Sequence, residues 1–566
     1  MSGREVRAQA GTAGATIAAR LQALQAARFG PRLLAHDETL WGDDPAHRKV
    51  AANRLGWLDV TRTVRPHAAA LKAFAAEVAG EGFTHAVLLG MGGSSLAPEV
   101  FRRTFGVAPG ALELSVLDNT SPASVRAVAD AHDLSRTLFV VASKSGGTIE
   151  VTSFEKYFWE RVSAVRGAKT GQAFVAISDP GTGLEAHART RGYRRIFSNP
   201  PDIGGRYSAL SFFGLLPAAL IGVDVDALLA GIEPELAALA AGGGEGIALG
   251  AALGELARAG RDKLTIMASP ALASVGVWIE QLVAESTGKS GRGIVPVAGE
   301  PLGAPATYGS DRVFVAVGSP SLPDATEQAL DALAAAGHPV YRWTSPGLLD
   351  LGADMLRWEI ATATASAVTE VDPFDEPNVS EAKAATQAVL KHYLDDGHFP
   401  ERSPAAQSEG LSAYVPARAA APGDGPEAWL AGLLAQAKPG DYFAVLAYVN
   451  RTDAREAALE AVRAAARDSA GLATTLGYGP RFLHSTGQLH KGGAANGIFL
   501  QLTADEGDVA IPGERYGFAI LRAAQAAGDF EVLETRGRRV LRIHLGADAD
   551  AGLARLARAA RGAIAR

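Results

Sequence analysis

The chain has 566 residues, 48% of them hydrophobic and 20% charged, enough to bury more than one core as a globular protein. A net charge of −7, with both signs interspersed, argues against nucleic acid as a main partner, since binding a phosphate backbone calls for a basic face. The lack of cysteine excludes disulfides, thiolate metal sites and cysteine nucleophiles.

Residues 1–24 lack the continuous apolar run of a signal peptide, so the expected location is cytoplasmic. Their Ala/Leu/Ile spacing predicts an amphipathic helix, the start of a helical segment over 1–54. Short β-rich runs then alternate with helical patterns. Strands are predicted at 86–90, 114–117, 137–142 and 174–178, making a first α/β unit over 55–235. The apolar stretch 209–223 is broken by Pro217 and too short to span a bilayer; it reads as a buried helix. Residues 236–250, rich in Ala and Gly, connect to a second unit over 250–566. Its strands are predicted at 264–268, 313–317 and 340–343, then at 442–448 and 472–476, beyond an irregular connector over 398–425. The expected fold is α/β, with two three-layer αβα domains, mainly parallel sheets and peripheral helices.

Two loops fall where ligands collect in such sheets, beyond the carboxyl ends of strands. In the first, Gly90, Gly92, Gly93, Ser94 and Ser95 precede a helix, and glycines let backbone amides approach an anion. In the second, running from Ser143 through Lys144 and Ser145 to Thr148, three hydroxyls and the backbone amides can surround a phosphate dianion. A dinucleotide site is the rival: Gly90 and Gly92 are suitably spaced and Asp118 follows at a strand end. Ser95 in the third glycine position, and the unused second loop, argue against it.

Three further segments carry chemistry: Gln281 with Glu285 and Lys289, Phe374 followed nine residues on by Lys383, and His484 with Gln488. With the glycine loop, the Ser143 to Thr148 loop and the Gly204, Gly205, Arg206 turn, these resemble signatures of the phosphoglucose isomerase family, built from two sugar-isomerase (SIS) domains. The matches spread over residues 90–490. Departures are local: Gly146 and Gly147 stand where the family has bulkier residues, and Ala284 where it has methionine. The chain looks most like the isomerase half of bifunctional transaldolase/phosphoglucose isomerases. Whether a separate transaldolase acts as partner is not legible.

The resemblance implies a sugar-phosphate substrate, interconversion of glucose 6-phosphate and fructose 6-phosphate through an enediol, and a homodimer. It assigns proton transfer to Glu285, ring opening to His484, with Lys383 at the ring oxygen and Arg206 against enediolate charge. Gly93, Ser94, Ser143, Lys144, Ser145, Thr148 and Gln281 would bind substrate. The ordinary alternatives are a helix-end glutamate, a structural histidine, an exposed lysine and an ion-paired arginine. His490 and Lys491 are nearby rivals for the histidine's role. No close metal-ligand spacing occurs and proton transfer needs no redox group, so neither zinc nor NAD is expected, and no membrane partner. A non-catalytic sugar-phosphate sensor, or an isomerase that also accepts mannose 6-phosphate, are the alternatives.

The order Glu285, Lys383, His484 departs from the family, in which the histidine precedes the lysine. The outlines of 264–303 and 443–488 are alike, which suggests a duplicated strand–helix–strand unit, one copy keeping the glutamate and the other the histidine. This requires His484 within about 10 Å of Glu285, since both must reach one small substrate.

Overall fold

The computed structural model describes residues 5–419 and 422–564. Three sheets, rather than two, organise them. The first is wholly parallel, in the order Glu113–Leu117, His85–Gly90, Thr137–Ala142, Phe174–Ser178, Arg195–Ser198. Residues 86–90 and the strands Thr137–Ala142 and Phe174–Ser178 are buried throughout because helices cover both faces, which is why they read as unbroken apolar runs.

The region expected to form one domain over 250–566 carries two separate sheets. One runs Glu5–Gln9, Val340–Thr344, Arg312–Gly318, Lys263–Ala268, Val295–Ala298. The other runs Ala406–Ser408, Leu411–Tyr414, Arg539–His544, Gly497–Thr503, Tyr442–Tyr448, Ala473–Tyr478. The third has an apolar cluster of its own, with Leu500, Leu541, Leu553 and Trp429, whereas Leu264 and Val315 of the second sheet share a core with the first, and Val295 and Val297 pack with Tyr442 and Phe499 of the third. The parallel parts of all three sheets share one order, in which the first strand lies between the second and the third. An antiparallel strand flanks the second and the third sheet on the corresponding side.

Two local expectations change. The N-terminal segment opens with the strand Glu5–Gln9, antiparallel to Val340–Thr344, and its helix begins only at Gly14; residues 1–4 lie outside the described residues. An edge position on a sheet supplied backbone partners that an isolated helix turn would lack. The connector at 398–425 contains the hairpin Ala406–Ser408 and Leu411–Tyr414, which extends the third sheet; residues 420–421 are outside the description. The apolar stretch does form a fully buried helix, Phe212–Leu220, with Pro217 inside it. No single helix among the described residues is long and apolar enough to cross a membrane.

Candidate active site

The first sheet switches strand order between His85–Gly90 and Thr137–Ala142, and both anion loops leave from these two strands. Gly92 (φ +54°) turns so tightly that a Cβ would lie 2.7 Å from the His484 carbonyl and 2.9 Å from Gln281 Nε2. A Cβ on Gly93 would lie 1.9 Å from the Gly205 carbonyl, so the glycine loop and the turn that delivers Arg206 interlock. Ser94 is buried in the same turn, its amide donating to the Met91 carbonyl. Asp118, the acid of the dinucleotide alternative, accepts from Ser95 Oγ at 3.3 Å within the loop itself.

The second loop caps the helix Ile149–Arg166. Ser143 Oγ and Thr148 Oγ1 are 3.1 Å apart, and Ser143 Oγ accepts from the Gly146 amide at 3.1 Å. Ser145 and Gly147 are exposed. The free amides and positive dipole end of an 18-residue helix make this loop a ready anion site. Lys144 is directed elsewhere: its ammonium pairs with Asp179 and donates to the Pro201 carbonyl at 3.0 Å.

Helix Val275–Thr287 brings Gln281 and Glu285 one turn apart, on a helix buried between the units. Gln281 Nε2 donates to Glu285 Oε2 at 3.2 Å and to the His484 carbonyl at 2.8 Å. One amide group thus holds the glutamate and the histidine segment together, inside the 10 Å limit. Burial raises the Glu285 carboxyl pKa above its ordinary value, although Arg206 opposes this with its Nε 3.4 Å from Oε2.

Arg206 is itself buried and fully engaged. Nη1 donates to the carbonyls of Glu285 at 2.7 Å and Pro373 at 2.9 Å, and Nη2 pairs with Glu376. Aromatic packing fixes this segment: Phe374 lies edge-on to Trp41 at 4.8 Å and against Tyr207 at 5.3 Å. The N-terminal segment therefore buttresses the site. Lys289 donates to Asp375 Oδ1 at 2.6 Å, and burial, then Arg206, lower its pKa to about 8.

His484 Nε2 lies 2.9 Å from Glu150 Oε1, and Gln525 Nε2 donates to that oxygen at 2.7 Å. Gln525 is held in turn by Thr120 Oγ1 at 2.9 Å. Burial acts to raise the Glu150 pKa, but His484, the residue's own amide and Lys383 outweigh it and leave the carboxyl below its usual range. Lys383, exposed near the start of helix Pro377–Asp396, lines the same cleft as Thr148, Glu150, His484 and Gln525. The rivals lie apart: His490 is buried against Tyr442, Phe482 and Phe499, and Lys491 pairs with Asp529 at 2.6 Å.

Glu150, Gln525, Thr120 and Glu376 were not singled out from sequence. Glu150 follows the second loop by two residues, in the first turn of helix Ile149–Arg166, but only the fold shows its carboxylate turned to a histidine 334 residues away. Contrary to the expectation of no acid–histidine cluster, His47, Asp372 and Asp375 place ligand atoms within 4.8 Å of one another. They are dispersed in sequence, and the Lys289 ammonium already holds Asp375.

Doubly wound units with an anion loop at a strand-order switch, and a carboxylate and an imidazole joined beside it, define an α/β protein equipped for proton transfer on a small anion. The sequence profile of phosphoglucose isomerase matches residues 58–290. A glucose-6-phosphate isomerase of Rubrobacter xylanophilus is 30% identical over 411 residues, covering 64% of this chain and 93% of that protein. One from Thermosynechococcus vestitus is 39% identical over 160 residues, 27% of this chain and 29% of that protein. A hypothetical protein of Thermus thermophilus superposes with a TM-score of 0.55 at 25% identity, covering 68% of this chain and all of that one. A glucose-6-phosphate isomerase of Chlamydia trachomatis shares the fold, with a TM-score of 0.53 at 18% identity over 67% of this chain and 86% of that one. The chain belongs to the phosphoglucose isomerase family.

Proposed function

We propose that this chain is a glucose-6-phosphate isomerase, interconverting glucose 6-phosphate and fructose 6-phosphate through an enediol. The observation that carries the reading is the Gln281 amide, bonded to both the Glu285 carboxylate and the His484 segment beside the anion loop. The phosphate sits on Ser143, Ser145, Thr148 and the amides opening helix Ile149–Arg166, with Gly93 and Ser94 shaping the facing wall. His484, kept in place by Glu150, exchanges the proton that opens the ring, and Lys383 supplies positive charge near the ring oxygen. Glu285 then takes the proton from carbon 2 and returns it to carbon 1, while the proton of the carbon-2 hydroxyl passes to the carbon-1 oxygen, and the carboxylate ends in its starting state. Arg206 offsets the negative charge that develops next to that carboxylate. Lys144, tied to Asp179, contributes to the loop's shape more than to direct binding.

The test is a metal-free coupled assay with fructose 6-phosphate, wild type beside Glu285→Gln. Activity that falls by about 10²- to 10⁴-fold in the variant, with substrate still bound, supports the reading. Tight sugar-phosphate binding without turnover in wild type would make the chain a sensor instead; a mannose 6-phosphate arm measures substrate breadth.

The shared strand order of the second and third sheets supports the proposed duplication, with Glu285 kept in one copy and His484 in the other. A cytoplasmic location is part of this reading, and cell fractionation with turnover as the readout tests it. A homodimer is the assembly the family resemblance implies. Because one chain supplies Arg206, Glu285, Lys383 and His484, dimerisation is not needed to complete this site. Light scattering at assay concentration decides the state, and co-purification tests for a transaldolase partner.

A further inference from the structure

The carboxyl edge of the third sheet opens into a cavity of about 770 Å³, separate from the cleft of Glu285 and His484. Strands Gly497–Thr503 and Arg539–His544 end at it, and Tyr448, the last residue of Tyr442–Tyr448, lines it. From there the cavity runs along the face of the sheet beneath helix Phe518–Thr535, as far as Tyr414, Phe530 and Glu534. The volume suits a small metabolite. These residues lie beyond the stretch matched by the family profile, so the comparison assigns them nothing.

The charged lining is uneven. Arg542 donates Nε to Gln501 Oε1 at 2.6 Å and Nη2 to the Ala526 carbonyl at 2.9 Å, and neither partner carries charge. Arg402 and Arg542 both lie against the Phe530 ring, at 4.6 and 4.5 Å. Burial, and then Arg402, bring the Arg542 pKa down to about 10, against the opposing influence of Asp529. Arg522 spends Nη1 on Glu506, while its buried Nε and Nη2 have no protein partner. Of the lining carboxylates, Glu506 is paired with Arg522, Glu534 with Arg402, and Asp505 with His544 at 3.3 Å; Glu401 and Glu531 are exposed at the rim.

We propose that this cavity is a second ligand site, for a small polyhydroxylated phosphate whose phosphoryl group is held by Arg542 and Arg402 while its hydroxyls donate to Glu506 and Asp505. Guanidinium forks match phosphate oxygens in pairs, and carboxylates accept from sugar-like hydroxyls. The cavity shares two helices with the catalytic cleft. Helix Phe518–Thr535 gives Arg522 to the cavity and, one turn on, Gln525 to Glu150. Helix Pro377–Asp396 gives Val389 to the cavity and Lys383 to the cleft. Gly528 lets the helices touch, since a Cβ there would lie 2.7 Å from the Thr386 amide nitrogen. The neighbours Thr120 and Ser121 clamp Gln525 and Glu506 respectively. Occupancy of the cavity is thereby transmitted to the Glu150 and His484 pair. This coupling rests on the catalytic reading of that pair; ligand binding does not.

Soaking crystals in tungstate, a heavy phosphate mimic, tests binding directly. Anomalous density within hydrogen-bonding distance of Arg542 and Arg402 is expected. Density confined to the Ser143 to Thr148 loop, at a concentration that fills that loop, overturns the site. In solution, calorimetry with glycerol 3-phosphate should resolve two classes of binding in wild type. Arg402→Gln, at a side chain 38% exposed and so tolerant of change, should weaken one class by at least about tenfold. Superimposable isotherms overturn the proposal. Inhibition of turnover by glycerol 3-phosphate should be mixed in wild type and competitive in Arg402→Gln; competitive inhibition in both refutes the coupling, whatever becomes of the assigned reaction.

Discussion

Replacing Glu150 by glutamine isolates the step assigned to His484. The substitution keeps shape and hydrogen-bonding capacity but removes the charge 2.9 Å from the imidazole, at a side chain only 4% exposed. A hydrogen bond to a charged group contributes about 1.5–3 kcal/mol. Each 1.36 kcal/mol is about a factor of ten, so kcat/KM for cyclic glucose 6-phosphate should fall about 10- to 100-fold. The loss should concentrate in ring opening, because Glu285 is held independently by Gln281 and Arg206. Substrate deuterated at carbon 2 reports this. As ring opening becomes limiting, the isotope effect of wild type should shrink toward unity in Glu150→Gln. A loss below about threefold, or an undiminished isotope effect, would refute the assignment.

Acid sensitivity follows from the same carboxyl. Its folded pKa lies below the unfolded value of about 4.3, so its stabilisation is present above that value and lost as pH falls through the folded one. The stability gap between wild type and Glu150→Gln, measured by urea unfolding, should therefore narrow as pH falls below the unfolded value. For Glu285 the shift is upward, so the acid limb of kcat/KM should lie above about pH 4.3, and a limb below pH 4 contradicts its role as base. Gly93→Ala must move backbone, because its Cβ would lie 1.9 Å from the Gly205 carbonyl; overpacking costs about 1–3 kcal/mol and displaces Arg206. Unchanged melting and turnover in that variant would disprove the interlock.

Every strand predicted from sequence is present, because buried parallel strands are unbroken apolar runs. Arg195–Ser198 escaped as a short, half-exposed edge, and Arg539–His544 because arginines interrupt its apolar residues. The separation of the second and third sheets was hidden for another reason. Periodicity marks elements, whereas strand partnership depends on contacts far apart in sequence. The candidate site divides along the same line. Glu285, Gln281 and Arg206 stand in short motifs whose glycines and polar residues are locally unusual. Glu150 and Gln525 acquire meaning only by meeting, across 375 residues, at one oxygen.

That span has a consequence for how the protein is made. A nascent chain that has emerged from the ribosome as far as residue 400 already carries the anion loops, Arg206, Glu285 and Lys383, yet His484 and Gln525 are still to come. On the roles proposed above, the nascent chain then holds its proton carrier without the ring-opening partner, and should remain silent until the last unit docks. On refolding, contacts this distant close late, after helices and local strands have formed. Regained turnover should lag behind regained ellipticity, so the enzyme would report the completion of its own assembly.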